Sequence, residues 1–270
     1  MSTHAWEELA PAEIEKRSFE ILTQELGGRV LDAENAPVIK RCIHTSADFD
    51  YADSLYFTPH AVRVLQDALR AGADIVTDTQ MAQAGINKTR LARWGGQVHC
   101  FIADPDVAAE ARRRGVTRST VSMEKAAALQ KPLIFAIGNA PTALRAVVQL
   151  AEAGRLQPAG VIGVPVGFVH VVESKELLIA SGLPCIAARG RKGGSNIAAA
   201  IVNALLYAMP ETDDAPAPVR AVTEVRDAAH AAAQNTVQTA ATGAGKAAAH
   251  GGAHGEQPAA PARKSAPKSV

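Results

Sequence analysis

The sequence predicts an α/β protein: a three-layer αβα arrangement around a mostly parallel, Rossmann-like central sheet. Three observations predict it. Short apolar runs of strand length recur along residues 1–210. Each is mainly apolar, of the length of a strand buried on both faces. Helical patterns separate the runs, and such alternation gives right-handed crossovers between parallel strands with helices over both faces.

The elements follow in order. Residues 12–26 place Ile14, Ile21, Leu22 and Leu26 on one helical stripe with charge opposite, and Gly27-Gly28 stops that helix. A second helical run spans Asn35–Ile43. Strands are expected at Asp74–Thr77, Val98–Ile102, Leu133–Ile137, Gly160–Val164 and Pro184–Ala187. Helices are expected at 60–71, 106–114, 120–130, 141–153, 174–181 and 195–209, and no internal repeat is visible.

Composition sets the limits of the folded part. The chain has 270 residues, but Met209 is followed by no Leu, Ile, Met, Phe, Trp or Tyr. Val and Ala alone cannot offset the entropy of ordering. Residues 1–210 are therefore the expected domain and 211–270 a disordered Ala/Pro/Gly-rich tail, with His250 and His254 a solvated pair. Lys and Arg number 28 against 27 Asp and Glu; the tail holds six of each, leaving 22 against 21. That balance argues against nucleic acid and acidic membrane surfaces as partners. No apolar run reaches the roughly 18 residues of a membrane helix. The N-terminus lacks the apolar stretch of a secretory signal. Cys42, Cys100 and Cys185 lie far apart and read as reduced thiols of a cytoplasmic protein, without a metal site.

Ligands of such sheets bind on the loops after the strands' carboxyl ends. One loop carries Gly138-Asn139-Ala140-Pro141, with Pro141 suited to a helix first turn. Another carries Pro165-Val166-Gly167-Phe168-Val169, followed by Glu173-Ser174-Lys175. A third carries Gly190-Arg191-Lys192-Gly193-Gly194-Ser195 and opens a helix. Glycines let backbone N–H groups approach a ligand, and helix N-termini add positive potential. Neither GxxxxGK(S/T) nor GxGxxG is present, which disfavours a nucleotide enzyme. Any one Gly loop is usually just a tight turn. Three together, one doubly basic, point to a ligand with several carboxylates.

The densest polar stretch runs from Arg41 through His44, Thr45 and Asp48 to Tyr51. Arg41 and His44 are three apart and share a helical face. Histidine suits proton transfer near neutral pH. A structural histidine capping the helix end or bonding Asp48 fits the same spacing. No Gly-x-Ser-x-Gly elbow accompanies it, so a serine hydrolase is unsupported. Asp74 and Asp78 flank a strand and read as a metal pair or, more often for such strand ends, as cap or turn residues. Ser18 is either a small contact residue of the first helix or a hydroxyl donor to a ligand.

These blocks together carry a family likeness. Ile14-Glu15, Ser18-Phe19, Val38–Arg41 and His44–Tyr51 begin it. Thr77-Asp78-Thr79, Gly85–Lys88, Gly138–Leu144, Gly163–Val169, Glu173–Lys175 and Gly190–Ser195 continue it, in order. The chain resembles the precorrin-8 methylmutases (precorrin isomerases) of cobalamin biosynthesis over the whole domain but not the tail. The resemblance implies an isomerase moving a methyl group from ring carbon 11 to ring carbon 12 of a ring-contracted tetrapyrrole. It implies His44 as proton donor and acceptor, with Ser18 and Arg41 binding substrate. Thr45, Asn139, Gly167, Lys175, Arg191, Lys192 and Ser195 are further candidate contacts on the loops. It also implies a homodimer with the site near the subunit interface, and no cofactor. The stretch His44–Tyr51, with Ile86-Asn87-Lys88 and Arg191-Lys192, is similar to the branch acting on cobalt-precorrin-8 and yielding cobyrinate; Ser46 stands where that branch suggests Thr. Metal-free precorrin-8X, yielding hydrogenobyrinate, is the alternative substrate. A non-catalytic corrinoid carrier is the alternative of another class.

Overall fold

A computed structural model describes residues 8–210. The expected tail, 211–270, with its His250 and His254, lies outside the described residues. The chain forms, in order, α1 (Pro11–Glu25), α2 (Ala36–Ser46), α3 (Tyr51–Ser54), β1 (Leu55–Phe57), α4 (Ala61–Arg70) and β2 (Asp74–Thr77). Then come α5 (Gln80–Gly85), α6 (Lys88–Ala92), β3 (Val98–His99), α7 (Pro105–Arg114), α8 (Arg118–Ala126) and β4 (Leu133–Ile137). The remainder is α9 (Pro141–Glu152), β5 (Gly160–Gly163), α10 (Val171–Ala180), β6 (Cys185–Ala188) and α11 (Ser195–Tyr207).

The six strands lie in the order β1-β6-β5-β4-β2-β3. All neighbours are parallel except β1, which pairs antiparallel with β6. The runs at β2, β4, β5 and β6 are buried on both faces, whereas β3 at the sheet edge is half-buried. Ile134 and Ala136 of β4 join a core shared with α2, α4 and α11. Leu133, Phe135 and Ile137 point the other way, into a core shared with α8, α9 and α10. That period of two is what makes three layers.

From β2 the chain moves first to β3 on one side, then to β4 on the other. The carboxyl ends of β2 and β4 therefore flank a topological switch, where open sheets of this kind form a crevice. Asp78 lies directly after β2 and bridges it. Its carboxylate accepts from the N–H groups of Gly138 (2.9 Å), Asn139 (2.8 Å) and Ala140 (2.6 Å) after β4. Burial pushes this carboxyl up from its ordinary value while the three amides oppose that shift. Asp74, at the other end of β2, accepts from Gln97 N–H (2.8 Å) and Lys131 Nζ (3.0 Å) and bonds His99 Nε2 at 2.9 Å. The two carboxylates thus staple opposite ends of one strand, and the metal-pair reading is set aside. Among the described residues no three His, Cys, Asp or Glu side chains cluster as metal ligands.

Several elements differ from expectation. β3 ends at His99 rather than Ile102, because the chain turns away from this sheet edge towards Asp104-Pro105. β1, α3, α5 and α6 are each one or two turns or three residues long, too short to show a period. α1 rests on α2, so only part of its stripe is covered. Leu22 and Leu26 are buried, whereas Ile14 is 55% and Ile21 40% exposed. No helix among the described residues is long and apolar enough to cross a membrane.

Candidate active site

α2 and α11 pack together and run antiparallel: Arg41 meets Tyr207 at one end, and Asp48 meets Lys192 at the other. α2 continues beyond the expected Ile43 to Ser46, so His44 lies within its last turn. Ala47 then adopts a left-handed conformation (φ 53°), which swings Asp48 and Asp50 towards α11.

His44 and Arg41 share a face of α2, as their spacing requires, and both lie on Phe19 of α1. The His44 and Phe19 rings are stacked, with centroids 4.8 Å apart and planes 8° from parallel. The Arg41 guanidinium carbon lies 4.7 Å from the Phe19 centroid and 5.1 Å from that of Tyr207. Arg41 Nη1 also donates to Glu15 Oε1. That hydrogen bond holds the Glu15 carboxyl below its ordinary range, against a smaller effect of burial. His44 makes no side-chain hydrogen bond among the described residues. The alternative in which it bonds Asp48 is therefore not the arrangement seen; Asp48 is engaged by Lys192. Ser18 stands half-buried on α1 beside Phe19, and Thr45 is exposed on α2.

The loop between β6 and α11 forms the second part. Lys175 of α10 is fully buried beneath it. Its ammonium donates to the carbonyls of Gly190 and Lys192, both at 2.8 Å. Burial pulls its pKa down to about 8. The expected substrate contact is thus corrected: Lys175 faces the underside of the loop and shapes it. Described peptide bonds are all trans, so the N–H groups of Arg191 and Gly193 point away from Lys175. Neither has an acceptor among the described residues. Lys192 is corrected as well. Its ammonium is clasped by Asp48 (2.6 Å) and Asp50 (2.5 Å), which push its pKa up. It ties the loop to the end of α2 and is no free cation. Arg191 is exposed, lies 5.5 Å over the Phe168 ring, and has no carboxylate partner among the described residues.

Two glycines let these loops approach. A Cβ on Gly193 would sit 2.1 Å from Val164 O, and one on Gly138 would sit 2.6 Å from Ser195 Cα. The 138–140 and 190–195 loops are thereby in contact. Asn139 is exposed above Asp78. Gly167 donates to Arg191 O at 3.2 Å, joining the third loop. Ser195 is buried and its hydroxyl lies 2.8 Å from that of Thr79, so it knits β2 to α11.

The structure therefore gathers Arg41 and His44 with Ser18 on one side. It gathers Asn139, Gly167, Arg191, Lys192 and Ser195 on the other, with Asp48 and Asp50 between. Sequence reasoning gave Glu15 and Phe19 no role beyond the family likeness, and gave Tyr207 none. The spacing of Glu15 and Phe19, four apart on one helical face, was a usable signal; the long-range approach of Tyr207 was not.

Comparison with known proteins places this arrangement. The family model described as precorrin-8X methylmutase matches residues 13–208. The chain belongs to the precorrin-8X methylmutase family. Within it, this methylmutase is 47% identical over 207 residues to the cobalt-precorrin-8 methylmutase of Salmonella typhimurium, covering 74% of this chain and 97% of that one. It is 45% identical over 195 residues to the enzyme of the same name from Priestia megaterium, covering 72% and 87%. The solved precorrin-8X methylmutase of Thermus thermophilus is similar in fold, with a TM-score of 0.67 at 38% identity, covering 73% of this chain and 95% of that one. The chain is an isomerase of the methylmutase type.

Proposed function

We propose that this chain is a cobalt-precorrin-8 methylmutase of cobalamin biosynthesis. It moves a methyl group from ring carbon 11 to ring carbon 12 and gives cobyrinate. The observation that carries this reading is the placement of His44. One face of its ring is covered by Phe19, its ring nitrogens have no hydrogen-bond partner among the described residues, and Arg41 stands on the same helical face.

The chemistry asks little else of a protein. In a [1,5]-sigmatropic shift the bond from carbon 11 to the methyl group breaks as the bond to carbon 12 forms. The conjugated ring must be made electron-poor; where the ring nitrogens hold cobalt the substrate's own metal does part of this, and where the pyrrole-type nitrogen of ring C is free a proton lent by His44 does it. The proton returns afterwards, so no cofactor is consumed. One placed acid contributes about a hundred- to ten-thousand-fold; holding the macrocycle in its reactive shape supplies the remainder. The acetate and propionate arms are received by Ser18, Arg41, Thr45 and Asn139, the Arg191 guanidinium, and the loop amides. Val166, Phe168 and Val169, exposed on the β5–α10 loop, offer apolar surface to the flat ring.

The working form is a homodimer with the site near the interface. The exposed Ile14 and Met81, together with Phe168 at 83% exposure, fit cover by a second copy or by the ring. Residues 1–210 are the enzyme, 211–270 an appended tail, and the reduced thiols fit a cytoplasmic setting.

The test is a parallel assay on cobalt-loaded and metal-free precorrin-8. The expected result is a visible spectral shift at constant mass, catalytic in protein and faster with cobalt. A shift that stops at one equivalent would mark a carrier. Preference for the metal-free substrate would assign the other branch. His44→Ala is expected to bind the corrinoid but lose at least about a hundredfold in turnover. Full activity in that variant would remove His44 from the chemistry.

A further inference from the structure

Phe19 is a large aromatic placed outside the apolar core. It is half-buried and belongs to none of the core clusters among the described residues. Its ring contacts are His44 and Arg41. The two differ in what else holds them. Arg41 keeps Glu15 and Tyr207 besides Phe19. His44 has no side-chain hydrogen bond among the described residues; Phe19 stacks on its ring face, and the Glu15 carboxylate lies within electrostatic reach.

We propose that Phe19 is the positioning residue for His44, its ring face fixing the imidazole plane so that a ring-edge nitrogen meets the bound macrocycle. An imidazole free to turn about its two side-chain torsions would present that nitrogen in the right direction for only a fraction of the time. A parallel stack 4.8 Å between centroids leaves the edge open and closes one face. The proposal rests on the reading of His44 as the proton donor.

The variants are Phe19→Leu, which keeps bulk and removes the ring, and Phe19→Tyr, which keeps the ring. Phe19→Leu is expected to lower kcat about ten- to a hundredfold, the cost of a misplaced group. KM is expected to stay within about twofold, because Arg41 retains two other partners. Phe19→Tyr is expected to restore kcat. A second readout needs no substrate: the His44 ring protons, shielded by the Phe19 face, move downfield in the NMR spectrum of Phe19→Leu but not of Phe19→Tyr. Unchanged kcat in Phe19→Leu, or losses in KM equal to those in kcat, would overturn the positioning role. Unmoved ring protons would overturn the stack itself. A wild-type protein inactive on both corrinoids would instead defeat the functional reading, and the NMR comparison would still decide the stack.

Discussion

At the scale of single residues, buried charges shape the candidate site as much as exposed ones do. Lys175 and Asp78 make the case as a pair. The ammonium turns two carbonyls inward and so turns the Arg191 and Gly193 amides outward. The carboxylate gathers three consecutive amides across the sheet's switch point. Each is costly to bury, and backbone hydrogen bonds offset that cost: three amides for Asp78 and two carbonyls for Lys175. For Lys175 the cost has a pH signature. Its folded pKa of about 8 lies below the ordinary 10.5. Below pH 8 both folded and unfolded chains hold the proton, and the burial cost stands in full. Between about 8 and 10.5 the folded chain has released it while the unfolded chain keeps it, so stability rises with pH across that window. The gain amounts to at most about 3 kcal/mol. Lys175→Met has no such group. The melting temperature of the wild type relative to this variant is expected to climb from pH 8 to 10 and to stay level from pH 6 to 7. Parallel curves over the whole range would contradict it.

At the scale of elements, loops rather than strands decide the site, and they are held by close backbone approaches. Gly193 shows how tight these are. A methyl group there meets the Val164 carbonyl at 2.1 Å, and the residue has φ +156°. Gly193→Ala is expected to lose about 2 kcal/mol or more through clash and backbone strain. Because the same shift drags Lys192 from Asp48 and Asp50, binding of the corrinoid is expected to weaken too; calorimetric melting and a binding titration read the two separately. Unaltered melting would mean the loop has room that the geometry denies. The same distinction between strands and loops explains what could be read in advance. The apolar runs at β2, β4, β5 and β6 announced themselves because burial on both faces leaves a continuous signal. β1 did not, since three residues at an antiparallel edge carry no period. Arg41 with His44 was legible from helical spacing and from the family likeness. The neutralisation of Lys192 was not, since its partners come from 142 and 144 positions earlier in the chain. Nor was the burial of Lys175, because a lysine's formal charge says nothing of the carbonyls above it.

At the scale of the whole molecule, the two larger cores among the described residues reach Met209 on the α2–α11 face and Ala187 on the α8–α10 face. The family match stops at residue 208. Every residue assigned here to the chemistry or to its support lies between Glu15 and Tyr207. Residues beyond Pro210 offer only Val and Ala as apolar material, and such small side chains bury little area per ordered residue. A chain ending at Pro210 is therefore expected to melt within about 2 °C of the full-length protein, a difference well below what 1 kcal/mol produces in a domain of this size. Its kcat/KM on cobalt-precorrin-8 is expected to match that of the full chain within about twofold. The measurement must be made at several protein concentrations, because the apparent stability and activity of the proposed homodimer would follow subunit concentration. If the shortened chain melts as before but loses activity on dilution sooner than the full chain, residues 211–270 contribute to pairing of subunits. If it melts lower at every concentration, they belong to the folded domain, and the boundary at 210 is wrong.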